Sequence, residues 1–387
     1  MNQMTLLASQ IFSAPQRVLT RPRLVNPRIS RAALCLTLYP LALLGTDISE
    51  CGSLNFPGSY ILVANLSSAG DCLIIRTSFV TIDLNGHTIS RGNPVVDNPT
   101  NSTAVTVPPN YPPTRTANAV DPVPAPATRG ISASGSLRDI TIRNGMILGF
   151  SDTIDLRSAS GVVVESTHLL ALGQMPLRRS HAIAVGDGSQ VRNNAILRNR
   201  GSEVAISAGE NSVISGNTLE DMEGIGIEAG AGSAVTANVI RNISEDGINM
   251  AGDSIVSGNT VTGINDQGIR VHGRGIVSGN TVVGNGGGDG ISVTGDNSSV
   301  SGNSVSSFRH GIVVGANSRV ATNTVTGNID GIQVNASGTI VENNHLAGNT
   351  NLGVRCPPGG AAAIKDNTFS ANRATFAVCQ DLGNNIF

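Results

Sequence analysis

The chain has 387 residues, of which only 13% are charged, and its formal net charge is -2. Because no basic stripe is present to neutralise phosphates, the composition argues against nucleic acid as a partner. Tryptophan is absent and aromatic residues make up 3% of the chain, which argues against stacking platforms for bases and against an aromatic floor for sugars.

The first predicted element is a signal peptide over residues 1–45. An apolar run from Ala32 to Leu44 follows a basic region, as in export signals, and is too short to span a bilayer comfortably. Two alternatives stay open: an uncleaved membrane anchor, or a true start further along the chain. The arginines of the basic region are Arg17, Arg21, Arg23, Arg28 and Arg31.

Four cysteines lie beyond this segment and form two closely spaced pairs. Cys51 and Cys72 are 21 residues apart, and Cys356 and Cys379 are 23 residues apart. Sequential pairing would place one disulfide at each end of the repeat, which fits an oxidising compartment. The cysteines and histidines do not have the spacing of a zinc site.

Residues 46–387 are predicted to form one domain. Near its start the pattern is irregular, with FVTIDLNGHTI (79–89) and LRDITIRNGMILGF (137–150) as its recognisable parts. Between them, residues 93–128 are rich in Pro, Thr and Asn and lack the apolar side chains needed to pack. We interpret this Pro-rich insertion as an excursion from one coil, either a lid over a cleft or a tolerated insertion.

The second half of the chain repeats with a period of about 21 residues. Blocks such as VSGNTV (256–261) each carry one asparagine, and these asparagines are spaced 20 to 23 residues apart. Such a period is typical of a solenoid, in which each repeat buries its apolar face against the next, so function is expected on a repeated surface. The asparagines are Asn194, Asn217, Asn238, Asn259, Asn280, Asn303, Asn323, Asn344 and Asn367.

A second segment of each period has the pattern Gly-Ile-x-Val, as in DGISV (289–293) and HGIVV (310–314). Short strands broken by turn formers exclude long helices. The sequence therefore predicts an all-β fold, a single-stranded parallel β-helix with 21–23 residues per coil, whose coils stack about 4.8 Å apart. An inward asparagine at each turn can then bond backbone groups and the next asparagine, so the asparagine column is assigned a structural role.

Several blocks resemble those of the right-handed parallel β-helix superfamily: VTIDLNGHTI (80–89), ITIRNGMI (140–147) and the later NTV and DGI repeats. That superfamily contains pectate lyases, polygalacturonases, alginate epimerases and the periplasmic β-helix proteins of nitrous-oxide-reductase maturation. The resemblance covers about residues 50–380 and implies a right-handed coil. It does not specify a reaction, because one fold hosts lyases, hydrolases, epimerases and binding proteins.

Two columns of variable residues are predicted to face outward, beside the inward Ile and Val of each Gly-Ile-x-Val block. One column holds the residue before the glycine, and the other holds the residue between Ile and Val. The predicted catalytic residues are Asp246, Arg270, Asp289 and His310. The predicted substrate-binding residues are Glu228, Asn249, Gln267, His272, Ser292, Asp330 and Gln333, with His181 a candidate for an earlier position in the first column.

Two kinds of chemistry fit these residues. Asp246 and Asp289 lie two coils apart, about 9–10 Å, near the upper end of the gap of about 6.5–9.5 Å that inverting glycosidases use. In a lyase or epimerase acting on uronic acids, Arg270 would neutralise the substrate carboxylate and His272 or His310 would take the adjacent proton.

Other roles for the same side chains stay open. A calcium ion held by Asp246 and Asp289 would replace Arg270 as the neutralising charge. The structural alternative is that each Asp before Gly only closes a turn and that each His is an ordinary exposed side chain.

The resemblance to polygalacturonases is incomplete where their catalytic residues lie. Those enzymes carry Asn-Thr-Asp, Asp-Asp, Gly-His-Gly and Arg-x-Lys blocks, whereas this chain has SEDG (244–247), DQG (266–268) and RHG (309–311). Gln267 stands in place of the second acid, no Arg-x-Lys block follows, and the Asp-Pro-His-Asp block of alginate epimerases is absent. The reaction therefore differs from theirs, or there is none.

Together these patterns predict an exported protein, secreted, periplasmic or on the cell surface, that acts on or binds an extended acidic polysaccharide. It would do so as a lyase, a hydrolase or an epimerase; the alternative is a non-catalytic β-helix that binds or scaffolds. We expect a monomer with no nucleic-acid partner and no membrane association beyond an uncleaved signal anchor. Calcium is the one cofactor that the pattern allows.

Overall fold

A computed structural model describes residues 45–92, 128–170, 180–197, 203–359 and 362–387. These residues form forty β-strands and no helix. Nearly all of the predicted signal peptide, 1–45, and of the Pro-rich insertion, 93–128, lies outside the described residues, so the structure does not bear on either. Across the described ranges, no helix is long and apolar enough to cross a membrane.

The strands are short, and most have three to five residues. The first fourteen are β1 (Thr46–Ile48), β2 (Gly52–Leu54), β3 (Gly58–Leu62), β4 (Leu66–Ser68), β5 (Leu73–Ile75), β6 (Val80–Asp83), β7 (Thr88–Arg91), β8 (Arg129–Ala133), β9 (Ile140–Leu148), β10 (Asp152–Leu156), β11 (Val163–Leu170), β12 (His181–Val185), β13 (Gln190–Arg192) and β14 (Ala195–Leu197). The next thirteen are β15 (Val204–Ala208), β16 (Val213–Ser215), β17 (Thr218–Met222), β18 (Ile225–Ala229), β19 (Ala234–Thr236), β20 (Val239–Ile243), β21 (Ile248–Met250), β22 (Ser254–Ser257), β23 (Thr260–Ile264), β24 (Ile269–Val271), β25 (Gly275–Ser278), β26 (Thr281–Gly284) and β27 (Asp289–Val293). The last thirteen are β28 (Ser299–Ser301), β29 (Ser304–Ser306), β30 (His310–Val314), β31 (Arg319–Ala321), β32 (Thr324–Thr326), β33 (Asp330–Val334), β34 (Ile340–Glu342), β35 (His345–Ala347), β36 (Leu352–Arg355), β37 (Ala363–Lys365), β38 (Thr368–Ser370), β39 (Ala374–Ala377) and β40 (Gln380–Asp381).

The strands assemble into two parallel sheets. Sheet I has 26 strands, and sheet II has 14 strands in the order β2-β5-β8-β10-β12-β15-β18-β21-β24-β27-β30-β33-β36-β39. Neighbours in sheet II belong to successive coils and pair in parallel. The prediction of an all-β parallel solenoid is confirmed.

The core is a stack of aliphatic side chains in register. Ile248 pairs with Ile269, which pairs with Ile291, and all three are fully buried. Each such side chain contributes about 1.5–3 kcal/mol through removal from water. This inward row fixes which residues between the buried positions must face solvent.

The asparagine column is a continuous hydrogen-bonded ladder. Oδ1 of Asn259 accepts from the backbone N–H of Asn238 at 2.9 Å and from Nδ2 of Asn238 at 3.0 Å, while Nδ2 of Asn259 donates to the carbonyl of Val235 at 2.9 Å. The same contacts recur from Asn194 to Asn367. Because these amides are buried, the ladder satisfies polar groups that stacking removes from water, and its structural role is confirmed.

Glycine follows the variable outward residue because adjacent coils approach closely there. A Cβ at Gly247 would lie 2.7 Å from the carbonyl oxygen of Gly268, and a Cβ at Gly290 would lie 2.6 Å from that of Gly311. No side chain fits in this space without a backbone shift. The repeated Asp-Gly-Ile pattern therefore combines one variable position with one position fixed by packing.

Two disulfides join neighbouring coils near the two ends of the described solenoid. Cys51 is bonded to Cys72, and Cys356 is bonded to Cys379. These are the sequential pairings that the spacing predicts.

Candidate functional site

The register of sheet II brings the predicted site residues into two vertical columns. Asp289 pairs with His310, and His310 pairs with Asp330. Asp246 and Gln267 precede the paired β21 and β24 by two residues each and continue this first column downward. The second column runs Glu228, Asn249, Arg270, Ser292, Val313, Gln333 and Arg355.

The Asp246 carboxylate forms an ion pair and accepts a hydrogen bond. Its Oδ2 lies 3.4 Å from Nη1 of Arg270, and its Oδ1 accepts from the backbone N–H of Gln267 at 3.2 Å. Only 6% of the side chain is exposed. Burial raises the pKa of Asp246 above its ordinary value of 3.8, and the Arg270 charge and the Gln267 hydrogen bond oppose this rise. Both oxygens are therefore engaged within the fold.

Asp330 is held in the same way four coils further on. Its Oδ2 lies 2.9 Å from Nη2 of Arg355, and its Oδ1 accepts from the backbone N–H of Leu352 at 3.1 Å and from Nδ2 of Asn351 at 2.7 Å. The side chain is 5% exposed. Asp330 thus stabilises the junction between coils, and its carboxylate does not face an open surface.

Asp289 is different, because it contacts an imidazole. Oδ1 of Asp289 lies 2.7 Å from Nδ1 of His310 on the next coil. The two side chains are 20% and 18% exposed, so both are reachable from solvent. Val313 occupies the second-column position that corresponds to Arg270 and Arg355 in the two Asp–Arg pairs.

A groove of about 710 Å³ lies over the Asp289–His310 pair. Three of the other predicted residues, Gln267, Ser292 and Gln333, also line the groove, whereas Asp246 does not. The groove lining, as far as the described residues define it, also leaves out Arg270, Glu228, Asn249, His272 and Asp330. The predicted site therefore divides into a groove that holds Asp289 and His310 and two flanking Asp–Arg pairs.

Five polar residues of the groove were missed by the sequence reasoning. The groove is also lined by Asp266, Thr294, Asp296, Arg309 and Asn335. Asp266 and Arg309 each precede a first-column residue, and Thr294 follows the strand that begins at Asp289. The Gly-Ile-x-Val motif marks only alternating positions within a strand. These groove residues flank the motif, so finding them would have required including the residues before and after each block.

A family profile for the right-handed β-helix region matches residues 127–285 and 246–387. The chain belongs to the right-handed β-helix family. These matches include every residue of the groove and both Asp–Arg pairs, so the candidate site lies on the repeated face of the β-helix.

Several solved structures are similar to this chain at low sequence identity. The mannuronan C-5 epimerase AlgE6 A-module of Azotobacter vinelandii is 15% identical, with a TM-score of 0.48 over 85% of this β-helix chain and 90% of that protein. The catalytic unit of a GH87 alpha-1,3-glucanase from Streptomyces thermodiastaticus is 14% identical, with a TM-score of 0.48 over 86% of this chain and 63% of that one. The Dettilon tailspike protein is 14% identical, with a TM-score of 0.47 over 83% and 62%. No curated protein sequence matches the chain significantly.

A second charged network lies on the same face of the β-helix in its first coils. His181, the candidate early member of the first column, is almost fully buried against Asp152, and its Nδ1 lies 3.4 Å from Nη2 of Arg157. Asp155 contacts Nε of Arg157 at 2.7 Å and Nε of Arg129 at 3.0 Å. The imidazole is thus enclosed by the fold and is not part of the groove.

The calcium hypothesis concerns the carboxylates of Asp246 and Asp289. Among the described residues, no three His, Cys, Asp or Glu side chains come together as metal ligands would. Asp246 faces a guanidinium and Asp289 faces an imidazole, and Gln267 lies on the coil between them. A divalent cation would have to displace the Arg270 contact to use both carboxylates.

Proposed function

We propose that the outer face of sheet II binds an extended polysaccharide and that His310, oriented by Asp289, is the proton acceptor of a reaction on that chain. The observation that carries this proposal is the 2.7 Å contact between Asp289 Oδ1 and His310 Nδ1 within the groove. The resulting activity would be that of a lyase, an epimerase or a hydrolase.

The carboxylate defines the state of the imidazole. When Nδ1 carries the proton and donates it to Asp289, Nε2 of His310 carries a lone pair and can accept a proton from a substrate. The carboxylate also stabilises the imidazolium that forms after the transfer. A partly exposed His–Asp pair in a groove is therefore a suitable acid–base unit.

The shape of the surface favours a linear polymer as the ligand. Parallel strands repeat about every 4.8 Å along sheet II, and the groove crosses the coils of β27, β30 and β33 with polar side chains from each, including Ser292, Thr294, Gln333 and Asn335. A polysaccharide presents hydroxyl groups at regular intervals and can pair with such a series. A compact small molecule would use only one or two of these coils.

Hydrolysis by Asp246 and Asp289 is the less favoured chemistry. Both oxygens of Asp246 are engaged, by Arg270 and by the Gln267 amide, and its side chain is nearly buried. A general acid must reach the leaving-group oxygen, and Asp246 would have to break these contacts to do so. A step with His310 as base requires no such rearrangement.

The test is turnover of a panel of polysaccharides by the wild type and by His310→Ala, Asp289→Asn and Asp246→Asn. Unsaturated ends measured by ultraviolet absorbance, new reducing ends, and exchange of sugar protons in D2O distinguish elimination, hydrolysis and epimerisation. We expect His310→Ala and Asp289→Asn to lower kcat by about 100-fold or more. His345→Ala, on sheet I, is the matched control, and full activity in His310→Ala would contradict the proposal.

The alternative is a non-catalytic β-helix that binds or scaffolds. It is favoured by the engagement of Asp246 and Asp330 in ion pairs that only join coils. In that case the wild type would bind a polysaccharide without any product or proton exchange, and His310→Ala would change affinity alone.

We also propose that the protein is an exported monomer. Two disulfides are present, and such bonds persist in oxidising compartments. Mass spectrometry of the mature chain from the periplasm or medium, with and without reduction, would identify the signal cleavage point and both disulfides. Light scattering of the purified chain measures the oligomeric state.

A further inference from the structure

Three consecutive coils form one rim of the groove. Asp266, Gly288 and Arg309 each come directly before a first-column residue, and all three line the groove. A Cβ at Gly288 would lie 2.2 Å from the backbone oxygen of Asp266, and its φ of +38° disfavours other residues. The coils are therefore closely packed at Gly288, and the rim of the groove carries no side chain there between Asp266 and Arg309.

The Arg309 guanidinium differs from those of the flanking pairs. Arg270 and Arg355 each contact a buried aspartate, whereas Arg309 is exposed and has no carboxylate within ion-pair distance among the described residues. An arginine presents a planar fork of donors that matches a carboxylate group. Its natural partner is therefore an anionic group that the fold does not supply.

We infer that Arg309 binds the carboxylate of a sugar unit that lies in the groove over Gly288, which makes the substrate a uronic-acid polymer. This inference rests on the proposed function. Asp266 lies two coils from Arg309, about 10 Å by the strand spacing, and Asp289 lies on the coil between them. Asp296 also lines the groove. These three acids repel a sugar carboxylate and accept from hydroxyl groups, so a uronate would be oriented with its charge toward Arg309 and beside His310.

The experiment compares each acidic polymer with its carboxyl-reduced form, which keeps the chain and hydroxyl groups but loses the charge. Polygalacturonate and alginate are the probes, and Kd is measured by calorimetry, with KM and kcat where turnover occurs. We expect the wild type to bind at least one acidic polymer about 10-fold or more tightly than its reduced form, and Arg309→Gln to abolish this difference. Arg309→Lys should retain part of the preference, because it keeps the charge and loses the fork.

Arg241→Gln is the matched control, because it removes an exposed arginine from sheet I. It should bind as the wild type does. The inference is overturned if the wild type binds the acidic and reduced polymers equally, or if Arg309→Gln weakens both to the same degree. If the wild type binds no polysaccharide of either kind, the proposed function itself is wrong, which is a distinguishable result.

Discussion

Val313 lies one coil above Asp289, at the position from which an arginine contacts the aspartate in both flanking pairs. Arg270 stands in this relation to Asp246, and Arg355 stands in it to Asp330. The absence of a cation at residue 313 leaves the Asp289 carboxylate for His310. Because residue 313 is apolar, the Asp289 carboxylate can orient a base, whereas the corresponding carboxylates in the two flanking pairs join coils.

Val313→Arg is expected to convert Asp289 into a third Asp–Arg pair. The guanidinium would compete for the carboxylate, and His310 would lose its partner. Any activity that depends on this histidine should fall about 10–100-fold, as when the hydrogen-bond partner of a metal-binding histidine is removed. The 15N chemical shifts of the His310 ring give a readout that does not require turnover: they should indicate Nδ1–H in the wild type and no fixed tautomer in the variant. Val313→Met, which adds no charge, is the control, and a wild-type ring spectrum in Val313→Arg would contradict the prediction.

Gly290→Ala is expected to destabilise the coil stack. The new Cβ would lie 2.3 Å from Cγ1 of Val305 and 2.6 Å from the carbonyl oxygen of Gly311. Overpacking of this kind costs about 1–3 kcal/mol, which urea denaturation would detect. Gly70→Ala is the matched control, because nothing lies within 4 Å of the added atom. Equal stability of the two variants would show that the adjacent coils can move apart at Gly290 at little cost.

Asn259→Ala is expected to interrupt the ladder at one rung. The backbone N–H and Nδ2 of Asn238 both donate to Oδ1 of Asn259. Without that oxygen the backbone N–H is left buried with no acceptor, whereas Nδ2 still donates to the carbonyls of Ile214 and Thr236. The cost is about 1–3 kcal/mol for the orphaned donor. Faster hydrogen exchange at the Asn238 amide and a lower urea midpoint would confirm this. Asn265→Ala, which truncates an exposed asparagine, should leave both unchanged.

Glu342→Gln is expected to lower stability only above acidic pH. Hydrogen bonds from Lys365 and Arg319 hold the pKa of Glu342 below its ordinary value of 4.5, against the opposing effect of burial. A depressed carboxyl pKa contributes stability that is fully present above the unfolded value and is lost as the pH falls through the folded value.

The variant should therefore have a lower Tm than the wild type at pH 7, by an amount equivalent to about 1 kcal/mol. The two should converge as the pH falls through the depressed pKa of Glu342, below 4.5. Thermal scans across this range measure the difference. Glu220→Gln, also on sheet I, should show no such trend; a gap that persists at low pH would mean that packing, and not charge, causes the loss.

The sequence predicted those features that the stacking of coils imposes. The period, the asparagine ladder, the inward aliphatic row and the membership of the two outward columns all follow from one repeated set of backbone contacts. A second ladder through Asn328, Asn349 and Asn372 was missed, because only three coils carry it and its period does not stand out.

The sequence could not predict how the outward side chains are used. Three aspartates precede glycine in the same motif: Asp246, Asp289 and Asp330. The first and the last contact an arginine from the next coil, whereas the second contacts a histidine. The difference depends on whether an arginine stands 24 or 25 residues after the aspartate, on the next coil. No local motif extends that far. Arg309 was missed because it precedes the strand that begins at His310 and lies outside the alternating positions of the motif.

The stacking register also determines how such a surface can change over evolutionary time. Gain or loss of one whole rung, about 21 residues, would leave every ladder and aliphatic row intact while assigning new vertical neighbours to all residues beyond it. A duplication placed between Asp289 and His310 would move them about 5 Å further apart and separate them without harming the fold. In this architecture, gain or loss of an entire rung can create or remove an active site, as a single substitution can.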